Sequence, residues 1–117
     1  MKSKPEEQFA LQLKAAHIEF EREFRPWEDR RYRFDFYIPN AQWLGESSAL
    51  LDNQFLIEVQ GGIWQKGAHS SGIGITRDCE KFCLAAIDGY LVMPVTPEQI
   101  KSGKALQWIE QAIGRKP

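Results

Sequence analysis

The chain has little cysteine and histidine and lacks any long apolar run. Its 117 residues include 2 cysteines and 2 histidines, which disfavours both a disulfide framework and a four-ligand zinc site. No window approaches the roughly 18 apolar residues that a membrane span requires, and no apolar run follows the lysines of MKSKPEEQF. We therefore expect a soluble, intracellular protein with no membrane partner.

The chain also lacks a strong net charge. Its 15 basic and 16 acidic residues give a net charge of -1, so the total does not indicate a nucleic-acid-binding protein. Local patches, however, decide contacts with phosphates, and five arginines are crowded into one short stretch: Arg22, Arg25, Arg30, Arg31 and Arg33. The alternative is a solvated face on which these arginines pair with the acids between positions 19 and 29.

The sequence contains enough apolar residues for one compact domain. Hydrophobic residues make up 43% of the chain, and a chain of this length forms a single core, so we expect one domain over residues 1–117. Periodicity predicts a helix over 5–21 and strands over 31–38, 55–60 and 90–95. A second helix is predicted between the last two strands, capped by Thr76 and closed by Gly89. Thr96 and Pro97 open a C-terminal helical region, with Gly103 as a candidate break.

The segments between these elements carry turn residues. Residues 39–53 predict an irregular connection with a candidate short strand near Trp43, and residues 61–75 predict a long glycine-rich loop. The first two strands follow each other closely, so we expect them to be antiparallel, whereas the helix before the last strand predicts a parallel crossover. The expected fold is therefore α/β, with a mixed central β-sheet flanked by helices.

Two carboxylates lie on strands whose other positions are strongly apolar. In the strand RYRFDFYI, Tyr32, Phe34, Phe36 and Ile38 alternate with polar residues and should share one face, which leaves Asp35 on the other. In the strand FLIEVQ, Glu58 interrupts an apolar run. Because an unpaired buried carboxylate is very costly, either Arg31 and Arg33 neutralise the two acids or a cation binds between them.

The cation alternative specifies a set of oxygen ligands. Asp35, Glu58 and the backbone carbonyl of Val59 would offer oxygens of the kind that Mg²⁺ prefers, while water molecules complete its coordination. Glu58 and Gln60 are two residues apart, so their side chains should leave the same face of the strand. We therefore predict a divalent-metal site shared by Asp35 and Glu58.

These motifs, taken in order, resemble a nuclease superfamily. A first-helix Glu, the strand RFDF and the strand IEVQGG are similar to the PD-(D/E)xK superfamily, with Gln60 where Lys is usual. The segments GGIWQKGAH, RDCEKF and GYLVMPVTPE resemble the branch of very-short-patch-repair endonucleases and related phage or mobile-element endonucleases. The resemblance covers roughly residues 5–113 and implies a restriction-endonuclease-like core.

The resemblance implies an activity, a cofactor and a setting. It implies a Mg²⁺- or Mn²⁺-dependent endodeoxyribonuclease that hydrolyses DNA phosphodiester bonds, with branched, mismatched or nicked DNA as substrate. The setting would be phage or mobile-element recombination or repair in the cytoplasm of a bacterial cell or phage-infected host. A homodimer would be needed to cut both strands symmetrically. The alternative is a catalytically silent DNA-binding module with the same fold.

The predicted site draws on most of the chain. The predicted catalytic residues are Glu6, Asp35, Glu58, Gln60, His69 and Asp78, the predicted metal ligands are Asp35, Glu58 and Val59, and the predicted DNA contacts are Arg30, Arg31, Arg33, Trp64, Lys66 and Lys81. Several have simpler alternatives: Glu6 and Asp78 fit first turns of helices, and Trp64 fits a core anchor. Because Gln60 is neutral, Lys81 or Lys66 would have to supply the missing positive charge.

Overall fold

The described chain contains four helices and four strands. The computed structural model describes residues 3–39, 54–60 and 72–115. Its elements are α1 (Lys4–Ala15), β1 (Glu21–Phe24), β2 (Phe34–Ile38), β3 (Gln54–Val59), α2 (Gly72–Ile87), β4 (Tyr90–Val95), α3 (Pro97–Lys101) and α4 (Lys104–Ala112). The candidate strand near Trp43 lies outside the described residues. Within the described ranges, no helix is long and apolar enough to cross a membrane.

The strands form one mixed sheet in the order β1-β2-β3-β4. β1 is antiparallel to β2, and β2 is antiparallel to β3, with Phe36 opposite Ile57. β3 and β4 are parallel, with Ile57 opposite Met93, and α2 is the helix of the crossover between them. The predicted α/β architecture with a mixed sheet and flanking helices is therefore confirmed.

Helices cover both faces of the sheet. On one face, α1, α3 and α4 pack on the larger core cluster, which includes Phe9, Leu13, Phe36, Ile57 and Ile109. On the other face, α2 packs through Ala85 and Phe82 on a smaller cluster with Phe34 and Leu56. The sheet thus separates a three-helix layer from the single helix α2.

The first helix is shorter than predicted. Ser3 caps α1 through a capping box with Glu6, and the helix ends at Ala15 rather than at residue 21. His17 then adopts a left-handed backbone, with φ of 57°, and the Arg115 guanidinium donates to the carbonyls of Ala16 and His17. Strand β1, which the sequence did not predict, follows and pairs with β2.

Four other boundaries test the sequence predictions. β2 begins at Phe34, three residues later than predicted, and α2 begins at Gly72, so the prediction that Thr76 caps this helix is wrong. The capping box of Thr96 and Gln99 opens α3 as predicted. Gly103, with φ of 85°, divides α3 from α4, which confirms the candidate break. A residue with a Cβ would be strained in that conformation.

The buried face of β2 changes at Asp35. Phe36 packs in the larger cluster, whereas Phe34 packs in the cluster under α2. Residues two apart on a regular strand share a face, so the prediction of one face for Tyr32, Phe34, Phe36 and Ile38 is wrong at Phe34. The neighbouring strand bends at the same level, since Glu23 of β1 adopts a φ of 51° between the Arg22–Phe36 and Phe24–Phe34 pairs.

Candidate active site

Asp35 and Glu58 meet at the end of the sheet where β2 begins and β3 ends. One step beyond the Phe36–Ile57 pair, the backbone N–H of Asp35 donates to Oε1 of Glu58 over 3.3 Å. The backbone N–H of Val59 donates to Oδ2 of Asp35 over 2.8 Å. Each carboxylate therefore accepts a hydrogen bond from the opposite strand, and the two strands are joined there through side chains.

Lys81 neutralises Glu58 from the helix side. Lys81 and Ala85 are the buried residues of α2, one turn apart on the side that faces the sheet. The Lys81 Nζ lies 3.0 Å from Oε2 of Glu58, and the two side chains are only 11% and 17% exposed. The same ammonium group lies 4.3 Å from the centre of the Phe34 ring. Lys81, predicted as a DNA contact, thus belongs to the carboxylate cluster.

Glu6 brings a third carboxyl group to the cluster. It serves the capping box of α1, where its Oε1 accepts from the Ser3 N–H over 3.1 Å. Burial raises the pKa of Glu6, and the charge of nearby Asp35 raises it further. The capping function and proximity to Asp35 are therefore both present, and the two alternatives for Glu6 do not exclude each other.

The cluster carries more negative than positive charge. Burial raises the pKa of Asp35, and the Glu58 charge raises it further, against the Val59 hydrogen bond and the Lys81 charge. Burial also raises the pKa of Glu58, the Lys81 charge lowers it, and the Asp78 charge raises it again. Asp78 is therefore close enough to Glu58 to affect it. One lysine does not offset these acids, which is the electrostatic condition that favours a bound cation.

The arginines before β2 do not neutralise Asp35 and Glu58. The Arg33 guanidinium pairs with Glu23 over 2.7 Å, and the Arg30 guanidinium pairs with Glu80 of α2 over 3.3 Å. Arg31 is exposed. The alternative in which Arg31 and Arg33 pair with the two carboxylates is therefore wrong, since Glu58 takes a lysine instead.

The remaining predicted residues divide into two groups. Gln60 follows β3, where its backbone N–H donates to the Val95 carbonyl over 2.7 Å, and its side chain is half-buried. The Val59 amide donates to Asp35, and its carbonyl as a metal ligand stays a prediction. The other group, comprising His69, Trp64 and Lys66, lies outside the described residues.

The donor set fits a divalent ion that keeps most of its water. Over residues 3–39, 54–60 and 72–115, no group of three or more histidine, cysteine or acidic side chains is arranged to hold a metal ion. A closed protein cage is thus absent from those ranges. Mg²⁺, however, is often bound by one or two carboxylates together with several waters. Asp35 and Glu58 can supply that number.

Arg22 is a further charged residue whose position the sequence did not reveal. It pairs with Glu7 over 2.8 Å while its side chain is 19% exposed, and its charge lowers the pKa of Glu6. Its guanidinium carbon lies 5.4 Å from the centre of the Phe36 ring. The stretch Glu21–Phe24 was expected to end a helix, so no sequence pattern pointed Arg22 towards Glu6.

Comparisons with models of protein families, with curated proteins and with solved structures gave no match for this chain. The resemblance to the PD-(D/E)xK superfamily therefore stays a prediction that depends on the residues themselves.

Proposed function

We propose that the protein is a divalent-metal-dependent endodeoxyribonuclease that hydrolyses DNA phosphodiester bonds at the cluster of Asp35, Glu58 and Lys81. The observation that carries the proposal is the meeting of Asp35 and Glu58 across neighbouring strands, with burial raising the pKa of both carboxyl groups. Carboxylates whose pKa burial raises, next to a lysine, are found at catalytic sites.

Asp35 and Glu58 would hold the Mg²⁺ or Mn²⁺ ion. When bound, the ion would lower the pKa of a coordinated water and offset charge on a phosphate oxygen. Hydrogen bonds from the Val59 and Asp35 amides hold the two carboxylates in place. The carboxylates would therefore need little reorganisation to bind the ion. Glu6, whose carboxyl group lies near Asp35, would orient that carboxylate and, in its ionised form, accept a proton from the attacking water.

Lys81 would supply the positive charge that Gln60 cannot. A neutral glutamine can only donate or accept hydrogen bonds, whereas a lysine stabilises charge on a phosphate oxygen. The Lys81 ammonium already lies at the cluster, 3.0 Å from Glu58. We assign to it the charge stabilisation for which the superfamily uses a strand lysine, while Gln60 retains a hydrogen bond to water or phosphate.

DNA binding, the branched or nicked form of the substrate and a setting in recombination or repair depend on the resemblance. His69, Trp64 and Lys66 keep their predicted contributions to the reaction and to DNA contact on the same basis. Arg30, Arg31 and Arg33 would contact the backbone, and such contacts give affinity without sequence information. A cytoplasmic location and a homodimer for double-strand cleavage belong to the same proposal.

A catalytically silent DNA-binding module is the second candidate. It is favoured by the bonds of Glu58, whose Oε1 accepts from the Asp35 N–H and whose Oε2 pairs with Lys81. A metal ion would have to displace the Lys81 ammonium group from Glu58 or share the Oε2 atom of Glu58 with it. In this candidate the ammonium group replaces the metal, and the protein binds DNA without turnover.

The deciding experiment is a cleavage assay on junction, flap, mismatched and linear DNA with Mg²⁺, Mn²⁺ or chelator. We expect metal-dependent cleavage by the wild type and a loss of at least 100-fold in Asp35→Asn and Glu58→Gln. Thr96→Ala, which alters only the α3 cap, is the matched control and should cleave normally. Binding of the same DNAs without cleavage under any metal would support the silent module instead.

A further inference from the structure

A cavity lies between α2 and the segment that precedes β2. Its volume is about 600 Å³, and it is lined by Asp29, Arg30, Arg31, Tyr32, Arg77 and Glu80. That volume falls within the range of roughly 300–1,000 Å³ that is usual for sites of small ligands. Unlike such sites, this cavity is lined mainly by charged side chains.

The charges of the cavity favour an anion. Glu80 is already engaged, because it pairs with Arg30 over 3.3 Å and accepts from the Tyr32 hydroxyl over 2.7 Å. Arg31 and Arg77 are exposed, and neither has an ion-pair partner among the residues that the structure describes. Two guanidinium groups are thus available to a phosphate, which they can bind in a bidentate manner.

An aromatic ring stands beside these arginines. The Tyr32 ring lies 6.2 Å from the Trp27 ring in an edge-to-face arrangement, and the Trp27 indole donates to Asp88. Together with the Glu80 hydrogen bond, these contacts hold Tyr32 in place while its side chain stays half-buried. Aromatic rings next to cationic side chains are the usual means by which proteins bind unpaired nucleotides.

The cavity borders the carboxylate cluster. Glu80 of the cavity and Lys81 of the cluster are consecutive on α2, and Tyr32 precedes Phe34 by two residues. The Lys81 ammonium rests over the Phe34 ring at 4.3 Å. A strand held in the cavity would therefore lie close to the cluster, along α2 and the segment before β2.

We propose that this cavity binds one unpaired nucleotide of the substrate strand, with its phosphate held by Arg31 and Arg77 and its base packed on Tyr32. The proposal rests on the proposed function in taking the strand to be DNA. It assigns the substrate class, which is DNA with a single-stranded segment next to the scissile bond. It also adds Tyr32 and Arg77 to the binding residues.

The test measures binding by fluorescence polarisation in chelator, which prevents cleavage. The probes are a labelled single-stranded DNA of about 12 nucleotides, its blunt duplex and an RNA of the same sequence. We expect Arg31→Ala/Arg77→Ala to weaken single-strand binding about tenfold or more. The slope of log K against log salt should fall by about 0.7, since the two arginines share one phosphate and each phosphate contact on a single strand contributes about 0.7.

Matched variants distinguish the contribution of the Tyr32 ring to binding from that of positive charge in general. Tyr32→Ala should weaken single-strand binding about fivefold or more and duplex binding less, whereas Tyr32→Phe, which keeps the ring, should stay within about twofold of the wild type. Lys101→Ala/Lys104→Ala removes the same charge from the three-helix layer on the opposite face of the sheet and should bind like the wild type. Circular dichroism verifies that each variant is folded.

The outcomes distinguish this proposal from the proposed nuclease. Unchanged single-strand binding in Arg31→Ala/Arg77→Ala, an equal loss on duplex and single strand, or a preference for the RNA would overturn the nucleotide site. Metal-dependent cleavage by the wild type would survive those results. Conversely, cavity-dependent binding of single-stranded DNA without any cleavage would leave the site standing and remove the nuclease.

Discussion

The ammonium group of Lys81 lies 3.0 Å from Oε2 of Glu58, although one residue belongs to α2 and the other to β3. The pair joins the crossover helix to the end of the sheet. It also places a positive charge at the point where Asp35, Glu6 and Asp78 each affect a neighbouring carboxyl group. Folding and the proposed chemistry therefore depend on the same side chains. Mutations can separate the contribution of each side chain to stability from its contribution to cleavage.

Removal of the Lys81 charge should destabilise the protein at neutral pH. Lys81→Met keeps the aliphatic packing on Phe34 but leaves Glu58 without its cation. The expected loss of unfolding free energy lies between the ~1 kcal/mol of an exposed pair and the ~3–5 kcal/mol of a fully buried one, since the pair is mostly buried. Urea unfolding measures it. In the double variant Lys81→Met/Glu58→Gln much of the loss should return, and no recovery would contradict a direct pairing.

Asp35→Asn should stabilise the protein as the pH rises. Burial and the Glu58 charge hold the pKa of Asp35 above its ordinary value of 3.8, so the folded state binds more protons than the unfolded state over the window that begins there. The stabilisation that protonated Asp35 contributes is fully present below pH 3.8. It is lost as the pH rises through the folded-state pKa of Asp35. Asparagine does not ionise and can still accept from Val59.

Thermal melts at a series of pH values test this expectation. The melting temperature of Asp35→Asn should exceed that of the wild type at pH 7 and approach it near pH 3. Tyr37→Phe, on the same strand but outside the cluster, should give a difference from the wild type that does not vary with pH in this range. A wild type more stable than Asp35→Asn at pH 7 would mean that Asp35 is stabilised as an anion.

A divalent cation should stabilise the folded protein. Binding to the folded state alone adds about 2.7 kcal/mol at a free concentration one hundred times the Kd. We expect Mn²⁺ to raise the melting temperature at pH 7.5, and to raise it less at pH 4.5, because protons compete for Asp35 and Glu58. Asp35→Asn should respond weakly. Identical melts with Mn²⁺ and with chelator would contradict a metal site.

Glu6 contributes both to the α1 cap and to the proposed active site, and a pair of variants should separate these two functions. Glu6→Gln keeps a residue that can complete the capping box with Ser3 but removes the ionisable group beside Asp35, so we expect cleavage to fall at least tenfold with little loss of stability. Ser3→Ala should do the reverse, with a loss of ~1 kcal/mol in stability and normal cleavage. Equal effects of both variants on cleavage would assign Glu6 to the cap alone.

The sequence predicted the elements that local patterns control. The capping box at Thr96, the break at Gly103 and the parallel crossover before β4 all have short-range signals, and each is present. The pair of Asp35 and Glu58 was visible because a carboxylate in an apolar strand needs a compensating contact. Their meeting follows from the antiparallel register of two consecutive strands.

The parts that sequence reasoning missed depend on contacts between distant residues. The structure of β1 depends on pairing with β2, and the Arg115 guanidinium donates to the carbonyl of Ala16, just after α1, from 99 residues away. The change of face at Asp35 coincides with the left-handed backbone of Glu23, which no local pattern indicates. Cys79 and Cys83 are exposed, and the buried side of α2 carries Lys81 and Ala85 instead.

The packing of α1 against the last helices affects how the protein can fold during synthesis. α1 contacts α3 and α4, and the carbonyls at its end accept from Arg115. α1 therefore lacks its contacts with α3, α4 and Arg115 until the segment that contains Arg115 has been synthesised. We expect nascent chains arrested before α3 to be protease-sensitive, with protection appearing in a single late step.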